Sequence, residues 1–441
     1  MKNYSSKLLL ILTIALIFLA FIPANTIAQN NKDAFINGDA LPDAPELSAR
    51  GSYKVGVRTL EFVHANQIDI LKSKGGVDPL YDRHLKVEVW YPAIIPSDKK
   101  ELVAYDQVMG LYGDSTRPII PFTFMGRALR DAAPDISAYP YPLVIVSHGY
   151  PGSRLILTYL TENLASKGYV VVSIDHTEST FRDRAGFQST LLNRSKDELF
   201  VLNQMAELSK ANSKSFLAGL ADADNTALIG YSMGGYGVLN AAGAGYSNKL
   251  DSFFSLLTGG SKAIQSRIAN NPEYKTSYDS RIKAVVAFAP WGMQRGVWDA
   301  EGLKGLKVPT FFIAGTQDDV SGYEMGTKAI FKNAVNANRY LLTYENGRHN
   351  IAPNPPPPET MQPGISPGEY GFYSEPAWKE QRINNINQHF ITAFLGIYLK
   401  KKDFGKYLEV NEKSNDKPWT GFKPRASIGL ELLHATPDSK N

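Results

Sequence analysis

The candidate nucleophile of this chain is Ser232, within residues 230–235 (Gly-Tyr-Ser-Met-Gly-Gly) and directly behind the short apolar run 227–229. Glycines two positions before and two positions after a serine allow a sharp turn from a strand into a helix, because no β-carbon obstructs the close approach of the two elements. In such a turn the serine hydroxyl points out of the sheet. The pattern therefore predicts a serine placed for nucleophilic attack.

A serine hydroxyl attacks a carbonyl carbon efficiently only when a base takes its proton and a carboxylate fixes the tautomer of that base. The chain order serine, acid, histidine is completed by Asp318, behind the apolar run 310–314, and by His349, behind the run 340–344. All three residues follow the carboxyl ends of predicted strands, which meet at one edge of a parallel sheet. Asp318 is the predicted acid, and Asp319 is the alternative, because either aspartate could instead cap a helix.

The predicted base is the one histidine of seven that follows the acid in a loop. Of the other six, His148 and His176 precede Ser232. The remaining four lie in periodic strand or helix patterns; they are His64, His84, His389 and His434.

The negative charge that forms on the attacked oxygen needs two aligned backbone donors. We predict the amide of Met233, next to the nucleophile, and the amide of Tyr150, in the glycine-containing loop after the predicted strand 143–146. Pro151 has no amide hydrogen and is excluded. The rings of Tyr150 and Trp291 are candidates for the substrate pocket, although aromatic residues at such places are core residues at least as often.

The strand patterns indicate an α/β fold. Residues 53–65 and 84–92 alternate apolar and polar side chains, which is typical of antiparallel strands exposed on one side. Later strands are short apolar runs, typical of parallel strands covered on both faces. Helical patterns between them predict a mostly parallel, doubly wound sheet.

Three stretches interrupt this rhythm and are predicted to be insertions that form loops or lid-like segments: residues 99–139, 245–280 and 351–378. Insertions between strand ends and helices border the ligand crevice in such sheets, so one of them is expected to shape the pocket. Within them, the apolar run 253–257 is either the face of a lid or ordinary packing. We predict one catalytic domain over residues 53–441, because a large α/β sheet with insertions accommodates this length.

The N-terminal segment is predicted to direct export. Lys2 and Lys7 precede an apolar block at 8–22, and the residues before Gln29 (Thr-Ile-Ala) suit signal cleavage, so we expect a signal peptide over 1–28 and a linker over 29–52. An uncleaved membrane tether is the alternative. The protein would then be periplasmic or secreted and meet the membrane only in transit.

Composition excludes some classes of chemistry and partner. The chain has no cysteine, which rules out a thiol nucleophile and disulfide bonds. Its formal charge of +4 falls to +2 without the two lysines of residues 1–28, so no basic excess indicates nucleic acid as a partner. The oligomeric state is not indicated.

The chain resembles the α/β-hydrolase superfamily, and within it platelet-activating-factor acetylhydrolases and dienelactone-hydrolase-like proteins. The resemblance extends over most of residues 50–400 and rests on six segments: 89–92, 147–153, 172–176, 230–235, 308–318 and the surroundings of His349. It implies hydrolysis of a carboxylic ester, small or lipid, through an acyl-enzyme and with no cofactor or metal. Ser232, Asp318 and His349 would be nucleophile, acid and base.

A second resemblance is to bacterial cutinases and polyester hydrolases, at 230–235 and at 349–354. That resemblance implies a more compact core that often has a disulfide. This chain differs, because it has large insertions and no cysteine. A polyester hydrolase is therefore an alternative, as are a serine peptidase of the same fold and a non-catalytic binding module. The acyl length and the alcohol of the substrate are not readable from the sequence.

Overall fold

The computed structural model describes residues 34–109, 118–275, 279–410 and 418–437. The predicted signal peptide, residues 1–28, lies outside these ranges. Residues 37–441 form one unit by their contacts, and the boundary of the catalytic domain at residue 53 stays a prediction.

In the described ranges, a mixed sheet of eleven strands forms the centre of the fold. Its order is β13-β12-β11-β10-β9-β7-β8-β2-β1-β5, with β6 paired to β2, while β3 and β4 form a separate pair. Strands β7 to β12 run parallel, whereas β1, β2 and β13 add antiparallel neighbours at the two sides. The strands are β1 (Lys54–Ile68), β2 (Leu80–Ile94), β3 (Val103–Val108), β4 (Pro121–Gly126), β5 (Leu129–Arg130), β6 (Ala133–Pro134), β7 (Tyr141–Ser147), β8 (Val170–Asp175), β9 (Ala221–Tyr231), β10 (Ile282–Phe288), β11 (Thr310–Gly315), β12 (Arg339–Tyr344) and β13 (Leu430–Ala435).

Two apolar cores, one on each face of the sheet, explain why the central strands are apolar without interruption. Successive side chains of a strand point to opposite faces. In β9, Leu228 contributes to one core, while its neighbours Ala227 and Ile229 contribute to the other. The parallel strands are therefore buried on both sides.

Helices cover both faces, so the predicted doubly wound α/β fold is confirmed. Helices α2 and α3 contribute to the core that contains Leu228, and α1 and α9 to the opposite core. The helices are α1 (Thr158–Ser166), α2 (Phe187–Leu208), α3 (Met233–Ala241), α4 (Asn248–Leu257), α5 (Pro272–Lys275), α6 (Ala300–Leu303), α7 (Lys328–Asn333), α8 (Pro367–Gly371) and α9 (Glu380–Lys400). Within the described ranges, no helix has the length and apolarity needed to cross a membrane.

The predicted insertions contain regular structure rather than loops alone. Segment 99–139 includes the β3–β4 hairpin, 245–280 includes α4 and α5, and 351–378 includes α8. The apolar run 253–257 lies in α4, where Phe254 is buried and Leu256 is 82% exposed. This run therefore combines packing with an exposed apolar face.

The segment expected to be a linker is held against α9. Within residues 37–52, the Gly38 carbonyl accepts a hydrogen bond from Gln388 Nε2 at 2.9 Å. The amide of Leu41 donates to Asn385 Oδ1 at 2.9 Å. Residues 37–52 thus follow the surface of α9 before β1 begins.

We expect Leu228→Ala to lower the free energy of unfolding by about 2–5 kcal/mol, because Leu228 is 1% exposed in a central strand and its loss leaves a cavity. Urea unfolding measures this change. Leu256→Ala, the same substitution at an exposed site, should change stability by no more than about 0.5 kcal/mol. Equal effects of the two substitutions would contradict the placement of β9.

Candidate active site

Ser232 occupies a strained turn between β9 and α3. Its backbone has φ 53° and ψ −111°, which is unusual for a residue with a β-carbon. Three hydrogen bonds hold this conformation: the Ser232 amide donates to the Phe288 carbonyl at 2.9 Å, and the Ser232 carbonyl accepts from Tyr236 at 3.0 Å and from Trp291 at 3.1 Å. The turn is thus fixed from the adjacent strand as well as from its own helix.

The flanking glycines are required by distance. A β-carbon on Gly230 would lie 2.2 Å from the Gly234 carbonyl oxygen, and one on Gly234 would lie 2.0 Å from the Ser147 carbonyl oxygen. Both distances are far inside van der Waals contact with backbone atoms that cannot easily move. The spacing of the two glycines around Ser232 therefore has a steric cause.

The structure brings Ser232, His349 and Asp318 together in one chain of hydrogen bonds. Ser232 Oγ lies 3.0 Å from His349 Nε2. On the other side of the imidazole, His349 Nδ1 lies 3.0 Å from Asp318 Oδ1 and 3.1 Å from Oδ2. The three residues are 6–9% exposed, so the arrangement is shielded while the serine still borders a cleft.

The surroundings of Asp318 favour its ionised form. Burial alone raises the pKa of this carboxyl, but His349 and the amides of Ser321 and Val320 outweigh burial and hold the pKa below its ordinary value. Those amides donate to Oδ1 at 2.8 and 2.9 Å. A carboxylate that stays charged accepts from the Nδ1 hydrogen, which leaves Nε2 of a neutral His349 free to accept from the serine.

The alternative acid, Asp319, points elsewhere. Its carboxylate forms an ion pair with Arg348, and both side chains are about half exposed at the cleft. In the structure the carboxylate at hydrogen-bonding distance from His349 is that of Asp318. The geometry therefore favours Asp318 for the role assigned from its position after the glycine turn.

A cleft of about 450 Å³ opens above Ser232 and His349. One wall comes from the predicted insertion 351–378, through Gly371, Phe372 and Ser374. Asn350, directly after His349, fastens this wall because its Nδ2 donates to the carbonyls of Gly371 at 2.8 Å and Ser374 at 2.9 Å.

Sequence reasoning missed Asn350 and Phe372 as site residues. Asn350 lies within the segment 349–354 that resembles cutinases, and its position directly after the predicted base is the signal that could identify it. Phe372 carries no local signal, because its place in the cleft depends on how the insertion folds.

The predicted oxyanion donors lie on two sides of Ser232. Met233 begins α3, where the first amides have no acceptor within the helix. Tyr150 lines the cleft together with Gly149, and a β-carbon on Gly149 would lie 3.4 Å from Ser232 Cβ. The loop that contains Tyr150 therefore passes directly beside the nucleophile.

The two predicted pocket rings differ in position. Tyr150 borders the cleft, and its ring packs edge-on against Phe187 with centroids 5.3 Å apart. The Trp291 ring also packs edge-on against Phe187, at 5.0 Å, and Trp291 is not among the described residues that line the cleft. Trp291 contacts the site through its backbone, by its amide bond to Ser232.

A second hydrogen-bonded series of a serine, a histidine and an aspartate lies next to the loop that contains Tyr150. Ser147 Oγ is 2.9 Å from His176 Nε2, and His176 Nδ1 is 2.9 Å from Asp197 Oδ2. Burial and the charge of Arg194 lower the pKa of His176 to about 3, against the opposing effect of Asp197. Each of the three residues is at most 1% exposed, so no substrate reaches Ser147. This second series therefore has a structural role.

The arrangement of Asp318, His349 and Ser232 can activate a hydroxyl for attack on an acyl carbon. In the described part of the chain, no group of three or more histidine, aspartate or glutamate side chains is placed to hold a metal ion.

We expect Gly234→Ala to destabilise the fold by about 1–3 kcal/mol, because its β-carbon would collide with the Ser147 carbonyl. Helix propensity alone would favour alanine here by about 1 kcal/mol, so the sign of the change tests the steric argument. The measurement is urea unfolding. Gly405→Ala, where a β-carbon meets nothing within 4 Å, is the control and should be close to neutral. A stabilised Gly234→Ala variant would refute the close approach.

Comparisons with known proteins find similarity to ester hydrolases. The model of the PETase family, described as PET hydrolase-like, matches residues 134–250. This range includes Tyr150, Ser232 and Met233, but neither Asp318 nor His349. A cutinase of Thermobifida alba is 22% identical over 255 residues, which are 58% of this chain and 63% of that cutinase. A cutinase of Thermobifida fusca (strain YX) is 23% identical over 216 residues, 49% of this chain and 54% of the relative.

Among solved structures, a ferulic acid esterase from Streptomyces cinnamoneus aligns with a TM-score of 0.55 at 19% identity, over 88% of this chain and 99% of that one. The alignments with the two cutinases span less than two thirds of those relatives' length. The expected resemblance to the α/β-hydrolase superfamily and to cutinases is confirmed, and the chain has the α/β-hydrolase fold.

Proposed function

We propose that this chain is a secreted serine hydrolase that cleaves carboxylic esters through a covalent acyl-enzyme. The observation that carries the proposal is the continuous hydrogen-bonded chain from Asp318 through His349 to Ser232, with both links at 3.0 Å, on the floor of an open cleft. The cutinase relatives and the ferulic acid esterase fold support the same reaction class.

In this mechanism Ser232 is the nucleophile and His349 is the base. The hydroxyl oxygen of Ser232 bonds to the ester carbon while Nε2 of His349 takes the hydroxyl proton, and the carbonyl electron pair moves onto oxygen. When that pair returns, the alcohol leaves and receives the proton from Nε2. Water then attacks the acyl-serine with the same proton transfers, releasing the acid and restoring Ser232.

Asp318 acts through His349. Its ionised carboxylate holds the imidazole by the Nδ1 hydrogen and stabilises the positive charge that develops on the ring. The amides of Met233 and Tyr150 are the proposed donors to the oxyanion, one on each side of Ser232.

For the substrate, the comparisons favour the cutinase-like alternative over a specificity like that of platelet-activating-factor acetylhydrolases. We propose a small or medium acyl ester, because the insertion that carries Phe372 and Ser374 closes one side of the cleft. The same wall, formed by the insertion that carries Phe372 and Ser374, determines whether polyesters and lipid esters can reach Ser232. We also propose that residues 1–28 direct export. The Tyr150 ring is a proposed direct contact of the substrate.

Incubation with a fluorophosphonate probe tests the nucleophile. We expect labelling of the wild-type chain, loss of labelling in Ser232→Ala, and a fall in turnover of roughly 10⁶-fold in Ser232→Ala and His349→Ala. Asp318→Asn should lower turnover by about 10⁴-fold, because its histidine adopts the wrong tautomer. Asp319→Asn is the matched control and should retain most activity. An unlabelled wild-type chain would favour a binding module, and a dominant effect of Asp319→Asn would overturn the assignment of the acid.

Turnover of p-nitrophenyl esters from acetyl to long acyl chains tests the substrate class. We expect kcat/KM to be highest for short and medium acyl groups, because the wall at Phe372 limits the cleft, and to be far lower for peptide anilides of matched size. Phe372→Ala should extend activity toward longer acyl groups. Faster cleavage of the peptide anilides than of the esters would identify a peptidase instead.

A further inference from the structure

Arg194 of α2 reaches beneath the loop that carries the proposed oxyanion donor Tyr150. The guanidinium is 1% exposed, and its Nη1 donates to the His148 carbonyl at 2.6 Å. Its Nη2 donates to the Gly149 carbonyl at 3.2 Å and also to Ser179 Oγ. One buried side chain therefore binds two successive carbonyls of the loop next to Ser232.

His148 binds the same Gly149 carbonyl from within the loop. The backbone amide of His176 donates to His148 Nε2 at 3.2 Å, so Nε2 is the acceptor nitrogen of the ring. The hydrogen of the neutral imidazole then lies on Nδ1, which donates to the Gly149 carbonyl at 2.7 Å. Burial, then the positive charge of Arg194, lowers the pKa of His148 well below its ordinary value, in agreement with a neutral ring.

The Gly149 carbonyl and the Tyr150 amide are the two ends of one peptide group. This peptide bond is not among the cis bonds of the described chain, and in a planar trans peptide the C=O and N–H bonds point in opposite directions. Two donors that hold the carbonyl on the buried side therefore direct the Tyr150 N–H away from Arg194, toward the cleft that contains Ser232.

We propose that Arg194 is a positioning residue for ester hydrolysis: together with His148 it fixes the Gly149–Tyr150 peptide so that the Tyr150 amide donates to the oxyanion. This inference rests on the proposed function. A positive charge against the carbonyl also polarises the peptide, which makes its N–H a stronger donor. Burial lowers the pKa of Arg194 and the charges of Glu198 and Asp197 oppose that shift; an arginine guanidinium is charged at neutral pH.

The test compares Arg194→Met and Arg194→Lys with the wild type, using the full mature chain. Fluorophosphonate titration counts the reactive serines, so that kcat is expressed per active site. We expect Arg194→Met to lower kcat per site by about 10- to 100-fold, with KM changed by less than about threefold, because only the transition state uses the oxyanion donor. An aryl trifluoromethyl ketone, which forms a tetrahedral oxyanion on the serine, should lose affinity by the same factor as kcat. Arg194→Lys should restore part of both, since its ammonium reaches one carbonyl.

Arg339→Met is the matched control. Arg339, at the start of β12 and away from the site, is also fully buried. It donates to three backbone carbonyls, those of Phe331 at 2.6 Å, Ala337 at 3.2 Å and Thr436 at 3.3 Å. It should lower stability but leave kcat per titrated site within twofold of the wild type. Equal losses of kcat per site in Arg339→Met and Arg194→Met would show a structural effect and overturn the proposal.

His148→Ala removes the other donor to the same carbonyl and serves as the second test if Arg194→Met does not fold. It should lower kcat per site and ketone affinity together, again with little change in KM. A folded Arg194→Met or His148→Ala variant whose titrated serines turn over within twofold of the wild-type rate overturns the inference while the proposed function stands. A wild-type chain that the probe does not label overturns both.

Discussion

The parallel pairing of β9, β10, β11 and β12 is the constraint on which the rest of the structure depends. Because these strands run in one direction, the loops behind β9, β11 and β12 leave the sheet at a single edge, and Ser232, Asp318 and His349 belong to those loops. Strand β10 lies between the serine strand and the aspartate strand, and its Phe288 carbonyl also holds the strained amide of Ser232. Residues more than a hundred positions apart thus meet within hydrogen-bonding distance.

Much of this edge could be predicted from the sequence because each part is encoded locally. The glycines around Ser232 and the uninterrupted apolar runs of the parallel strands are short patterns with a direct steric or hydrophobic cause. The order of serine, aspartate and histidine then assigns each candidate to a loop. Asp318 and Asp319 both follow the same glycine turn, so the local pattern separates them only weakly. The structure distinguishes them by the ion pair of Asp319 with Arg348.

What the sequence did not indicate depends on contacts between distant segments. Helix α9 and strand β13 have no motif, and they are fixed by packing against the sheet and by pairing with β12. The sequence predicts a linker at residues 37–52, because the partners of their polar atoms lie on α9, far away along the chain. Arg194 is likewise an ordinary charged residue in a helical pattern until the fold places it under the loop of Gly149.

The attachment of Asn350 to the cleft wall joins two functions in neighbouring residues. His349 is the proposed base, and Asn350 holds the carbonyls of Gly371 and Ser374 through one side chain. The wall of the cleft and the imidazole are therefore anchored at consecutive residues of one loop. Shape of the cleft and placement of the imidazole share a single point of attachment to the sheet.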